Sequence, residues 1–221
     1  MERKTVYLAL MLLLGVSGLF QEDAVASGVG PKVFSVKGNI YISEDGESKT
    51  QLTKSKIDRE PVLSPDGSCV AFIRKTKNEK DELWLSKLED DKPELLVKEI
   101  TYPSKGGPEK KPLGHIVTDG IRFSPDSKTV YFVSRDFETS GGIHNVEIKS
   151  KKERYLIDGY ALEVIPDGKY EGHLIFRQHR YFMSSGSYDL WWLFSPEGKE
   201  EGVVGDAEKY EDLNLDFLEW K

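Results

Sequence analysis

Pro61-Val62-Leu63-Ser64-Pro65-Asp66-Gly67-Ser68-Cys69-Val70-Ala71-Phe72-Ile73-Arg74 decides the fold, because its pattern returns as Ile121-Arg122-Phe123-Ser124-Pro125-Asp126-Ser127-Lys128-Thr129-Val130-Tyr131-Phe132-Val133-Ser134-Arg135. Each copy runs a short apolar strand into Ser-Pro-Asp and leaves it on a β-branched and aromatic run, the pattern of a tight hairpin. Proline presets φ, the serine and aspartate side chains bond nearby N–H groups, and glycine takes the positive-φ position. Asp66 and Asp126 are therefore expected to be turn residues rather than catalytic ones. Two copies in one frame announce a repeat.

Outward from these copies the chain reads as short strands with hardly any helical periodicity. Strands are expected at 33–36, 39–43 and 49–53, then at 61–63, 69–73, 83–86 and 95–97. Four more fall at 121–123, 129–133, 143–148 and 154–157, and another four at 160–165, 173–177, 190–194 and 202–204. Third strands start at Ile40, Leu83, Ile143 and Leu190, and the one long interval contains the extra segment Lys98 to Thr118. Without it the period is that of a four-stranded propeller blade, about 40–45 residues. An all-β fold follows: a small β-propeller of four-stranded blades over residues 32–221. Asp212 to Leu218 alternates polar and apolar and lines up with Glu60 to Ser64 and Gly120 to Ser124. It is expected to enter the first blade and close a ring of four through the terminal strands, leaving no sheet edge exposed. The alternative is an open propeller that pairs with a second copy, so monomer and dimer both stay open.

The string Asn39-Ile40-Tyr41-Ile42, Gln51-Leu52-Thr53, Pro61 to Gly67 and Ala71-Phe72 resembles the propeller repeat of TolB-type periplasmic proteins, shared with the propellers of prolyl-oligopeptidase-like enzymes. The resemblance covers nearly all of the chain after the first thirty residues. It implies the fold and protein partners in the cell envelope; the repeat residues themselves are turn and core residues and carry no activity.

Residues 1–26 place Arg3 and Lys4 before the apolar run Thr5 to Phe20 and then Ala24-Val25-Ala26, the layout of a cleavable signal peptide. The run is short for a membrane span of about 20 residues, so no stable span is expected after cleavage. A periplasmic or secreted location follows. With a net charge of −7 and no basic block the chain is a poor nucleic-acid binder. The single cysteine, Cys69, sits in an apolar strand and reads as a buried thiol.

Most of the loop length falls on one face of the ring, in 75–82, 98–118, 135–142 and 178–189. Long loops on a rigid scaffold are where binding residues gather. Arg74, Arg135 and Arg177 each end a second strand there, with His179, Arg180 and Tyr181 just beyond and Tyr102 and His115 in the inserted segment. These residues form the candidate binding face. The three arginines would grip carboxylates bidentately around the central channel, or else solvate strand ends beside Asp81, Glu82, Asp136 and Asp189. No Gly-x-Ser-x-Gly elbow is present, and His115, His144, His173 and His179 lack metal-ligand spacing. No catalytic residue, metal or cofactor is therefore assigned. The expectation is a non-enzymatic protein-binding or scaffold module of the envelope. Its rivals are a binder of an anionic small molecule or saccharide, and a metal-dependent saccharide lyase drawing on His115 and His179. Trp84, Trp191, Trp192 and Trp220 are expected to pack between blades. The stretch Tyr102 to Pro112, rich in Pro, Gly and Lys, is expected to stay flexible and exposed.

Overall fold

A computed structural model describes residues 30–215 apart from 91, 99, 104–109, 114, 136–140 and 184. The signal peptide read at 1–26 lies outside these residues, as do Trp220 and the end of the expected terminal strand. Strand follows strand: β1 (Lys32–Val36), β2 (Asn39–Ser43) and β3 (Thr50–Gln51) form a three-stranded sheet. Three four-stranded antiparallel sheets follow in chain order. They are β4 (Asp58–Leu63), β5 (Cys69–Lys75), β6 (Asp81–Lys87) and β7 (Glu94–Val97); then β10 (Ile116–Phe123), β11 (Thr129–Arg135), β12 (Gly141–Glu147) and β13 (Lys152–Asp158); then β14 (Tyr160–Val164), β15 (Leu174–Tyr181), β16 (Ser187–Phe194) and β17 (Glu200–Gly205). The first strands of successive sheets lie beside one another, β4 against β10 and β10 against β14, as the inner strands of propeller blades do.

The repeat packs as the sequence pattern requires. Ile40 of the first blade meets Val70 and Phe72 of the second. Ala71, Ile73, Leu83 and Leu85 of the second meet Ile121, Phe123 and Val130 of the third. Tyr131, Val133 and Ile143 of the third meet Leu162, Leu174 and Phe176 of the fourth. Each blade interface is thus one apolar cluster, and each fully buried phenylalanine in it contributes roughly 1.5–3 kcal/mol. Cys69 is buried in the cluster between the second and third blades. Of the tryptophans, Trp84 packs between the first two blades and Trp192 between the last two.

β4, β10 and β14 each carry an irregularity near their start, of one extra residue in β4 and β14 and three in β10. The register slips between Arg59 and Val62, between Ile116 and Ile121, and between Tyr160 and Glu163. Glu60, Asp119 and Ala161, within the three slips, have φ of 52°, 56° and 54°. These are β-bulges at non-glycine residues, repeated blade by blade.

Two expectations are corrected. The inserted segment is not a featureless loop: β8 (Ile100–Pro103) and β9 (Lys110–Leu113) pair antiparallel from Ile100 opposite Leu113 to Pro103 opposite Lys110. Residues 104–109 between the two strands lie outside the described residues. At the C-terminus, Tyr210–Asp212 is a 3-10 turn rather than the start of a strand. Leu213 and Leu215 pack on Ile165, Ile175, Trp191 and Leu193 of the fourth blade, and among the described residues β1 pairs with β2 alone.

Candidate functional site

The buried phenylalanine of each second strand is a ruler for the binding face. Phe72 lies opposite Trp84, Phe132 opposite His144 and Phe176 opposite Trp192, and all three phenylalanines are fully buried. Measured from it, Arg74 stands two residues on, Arg135 three and Arg177 one. Side chains alternate faces along a strand, so the three arginines occupy different heights and do not share one face. The ring of guanidinium groups is not assembled.

Each arginine has its own setting. Arg74 donates from Nε to Asp58 Oδ1 at 2.7 Å and from a terminal nitrogen to Oδ2 at 3.0 Å. Its guanidinium lies 4.1 Å from the Trp84 ring centroid. Asp58 is buried, so this bidentate pair secures the entry of β4. Arg135 is exposed at the end of β11. Arg177 donates to the backbone oxygen of Asp189 at 3.2 Å and lies near the Tyr160 ring, while its Nε is buried with no hydrogen-bond partner among the described residues. His115 sits with Nδ1 3.5 Å from Asp81 Oδ2. That oxygen also accepts from Arg59 at 2.8 Å and from the Ile116 amide at 2.9 Å. Tyr102 lies on β8, paired opposite Lys111.

His179, Arg180 and Tyr181 lie on β15 itself rather than in a loop beyond it. Among the described residues the pairing of second and third strands reaches three residues past the phenylalanine in the second and third blades, to Lys75 opposite Asp81 and Arg135 opposite Gly141. In the fourth it continues to Tyr181 opposite Ser187, five residues past Phe176. Two extra paired residues at about 3.3 Å each make this ladder roughly 7 Å longer than that of the second blade. Its tip is apolar: Tyr181, Phe182 and Met183 are 75%, 56% and 108% exposed.

The base of that hairpin is braced. Asp189 accepts from the Tyr160 hydroxyl at 2.6 Å and faces His179 Nδ1 at 3.1 Å, and the Tyr181 ring meets His179 edge-on. The Tyr160 bond, with His179 and Arg177 behind it, holds the Asp189 carboxyl below its ordinary range. Burial, then the bond to Asp189, pushes Tyr160 up to about 12. On the other face Arg180 stacks 3.4 Å from the Trp192 centroid and pairs with Glu200 at 2.6 Å. A rigid stem thus presents an oily tip. The consecutive Tyr-Phe-Met inside an otherwise polar stretch was the available signal for it, whereas the contributions of Asp189 and Tyr160 come from strands far apart in sequence.

A second polar constellation stands elsewhere. Ser134 Oγ lies 2.8 Å from His144 Nε2, and His144 Nδ1 lies 2.7 Å from Glu153 Oε1. The order is that of a hydrolase relay, but Ser134 and His144 are both fully buried inside the third blade, with the imidazole stacked on Phe132. A hydroxyl with no access to solvent attacks nothing, and the relay serves to satisfy both nitrogens of a buried histidine.

Among solved structures, TolB from Acinetobacter baumannii aligns over 81% of this chain and 43% of its own, with a TM-score of 0.54 and 16% identity. Its fold is that of the TolB-type propeller. The tricorn protease aligns over 80% of this chain and 16% of its own, with a TM-score of 0.55 and 14% identity. The β-propeller domain of the trilobed protease from Pyrococcus furiosus, described as having an open velcro topology, aligns over 74% and 48%, with a TM-score of 0.50 and 15% identity. The chain therefore spans less than half the length of each. No protein-family profile matches it, and no curated protein matches its sequence. The expectation that the chain is not an enzyme is withdrawn. TolB-type propellers also form part of proteases such as tricorn, so this fold does not separate the chain from them. No helix among the described residues is long and apolar enough to cross a membrane.

Proposed function

We propose that this TolB-type propeller is an interaction module of the cell envelope that docks a protein partner on its long-loop face, with the tip of the β15–β16 hairpin as anchor. One observation carries the reading: Tyr181, Phe182 and Met183 stand exposed on a braced hairpin whose ladder runs two residues further than that of the second blade. Exposed apolar groups on a rigid support mark interaction sites, and aromatic anchors that fill a partner's pocket dominate interface energies. Rigidity lowers the ordering cost of binding. An apolar anchor on a chain of net charge −7 favours a protein over a nucleic acid. The Arg/Lys, apolar and Ala-Val-Ala sequence of residues 1–26 supports export to the compartment where such a partner would be met.

The test is photo-crosslinking from position 183 in envelope extract, comparing the otherwise native chain with a Tyr181→Ser/Phe182→Ser variant. A discrete crosslinked species that disappears in the variant is expected. Identical patterns from both chains, or none from either, would overturn the reading.

A further inference from the structure

Three methionines occur in the chain, Met1, Met11 and Met183. The core among the described residues holds none of them. Met183 stands instead at the tip of the β15–β16 hairpin, 108% exposed, so that no neighbour among the described residues covers its sulfur. Phe182 beside it is steadied by the Tyr188 ring, 4.8 Å away between centroids, and its amide donates to the Gly186 oxygen at 3.1 Å. The stem does not depend on Met183: other side chains make the bonds among Tyr160, His179 and Asp189 and the stack of Arg180 on Trp192.

A thioether differs from the leucine or isoleucine that could serve as an apolar anchor in one chemical respect: it can gain oxygen. Packing protects a buried methionine, whereas an exposed one meets any peroxide in the surrounding water. The sulfur lone pair attacks one peroxide oxygen, an S–O bond forms and the O–O bond breaks. The transferred oxygen gives its proton to the departing hydroxide, which leaves as water; sulfur loses two electrons and the peroxide gains them. The product is polar, and methionine sulfoxide reductases reverse the change with electrons from thiols. The other sulfur of the described residues, Cys69, is buried and does not compete.

We infer that Met183 is a reversible oxidation site that switches the docking tip, an inference that rests on the docking reading above. Reduced, residues 181–183 present three apolar groups together. Oxidised, the tip carries a polar S–O group among them, and a partner's apolar pocket has to bury that group without a hydrogen bond, which is costly. Because Met183 is unburied, the blades keep their packing, and docking changes while the fold does not.

The test treats the full chain with hydrogen peroxide beside free methionine, and reads docking with a photo-crosslinker at position 185 in envelope extract. A mass gain of one oxygen atom at Met183 is expected, as fast as free methionine is converted, with Tm unchanged. Retention on a hydrophobic-interaction column should fall to that of the Met183→Gln chain. The crosslinked species should disappear on oxidation, return after treatment with a methionine sulfoxide reductase, and survive peroxide in the Met183→Leu chain. Met183 left intact while free methionine is consumed would overturn the inference, and so would an undiminished crosslink from the oxidised chain. A chain that gives no crosslink before peroxide overturns the docking reading instead, and the mass gain and retention shift then uphold or overturn the oxidation site by themselves.

Discussion

The Asp66 amide donates to the Ser127 hydroxyl at 3.1 Å, so the turn of one repeat is tied to the turn of the next. Ser127 occupies the place that Gly67 holds in the first copy, with φ 58° against 70°. A serine tolerates the left-handed conformation because its side chain is engaged across the blade boundary. Ser127→Ala should keep the backbone strain and lose the bond, costing about 1 kcal/mol. Ser127→Gly loses the same bond but relieves the strain, a gain of about 0.5–1 kcal/mol, so it should unfold close to the parent. Urea denaturation of the two variants measures the difference; a glycine variant as unstable as the alanine one would sink the account.

Asp66 itself contributes through its charge. The Ser64 hydroxyl donates to its carboxylate at 2.6 Å and the Ser68 amide at 3.0 Å, and these bonds, Ser64 first, bring the carboxyl down to about 2. A carboxyl whose folded value is depressed adds stability that is complete above its unfolded value of 3.8 and is lost as pH falls through the folded value. The gap in Tm between the native chain and Asp66→Asn should hold from neutral pH down to about 4 and close toward pH 2. A gap that instead widened on acidification would contradict this linkage.

Arg74→Met should be far more damaging than an exposed arginine change, because it strands the buried Asp58 carboxylate. Breaking one side of a buried pair costs about 3–5 kcal/mol. Asp58→Asn combined with Arg74→Met should recover much of that loss, and Arg74→Lys should not, since an ammonium cannot reproduce the bidentate fork or the stack on Trp84. Thermal melts of the three variants read the order directly.

Phe182→Ser and Met183→Ser should leave Tm unchanged, because neither side chain is buried. Substitutions away from packed features usually fall within about 0.5 kcal/mol. A drop of several degrees would mean the tip packs on the body of the protein rather than standing ready for a partner.

Export predicts a mature N-terminus at Ser27. Mass spectrometry of the protein recovered from the envelope fraction checks it, and an intact Met1 would exclude cleavage.

The blades were legible because alternation and the Ser-Pro-Asp turn are local, and both are written into the chain within a few residues. β8 and β9 were not, since their pairing joins Ile100 to Leu113 across a stretch whose Pro, Gly and Lys content argues for a loop. The alternation at Asp212 to Leu218 announced a strand, but a strand needs a paired neighbour, and residues 213–215, the described part beyond the 3-10 turn, are not in a strand. The arginines failed as a ring for a related reason. A difference of one residue in distance from Phe72, Phe132 or Phe176 turns a side chain to the opposite face, and register is set by cross-strand pairing that no single strand records. Asp58 and Glu153 were invisible as partners until the sheets brought them beside Arg74 and His144.

The bulges at Glu60, Asp119 and Ala161 have a consequence for how such a propeller can change over time. Each slip separates the opening of an inner strand from its remainder, so Tyr160 turns to Asp189 while Leu162 stays in the core. In β4 and β10 the residues before the slip, Asp58 and Ile116, stay buried, but in β14 the leading Tyr160 is released from the core pattern, and the start of the fourth blade can acquire a new side chain without asking the strands beneath it to repack.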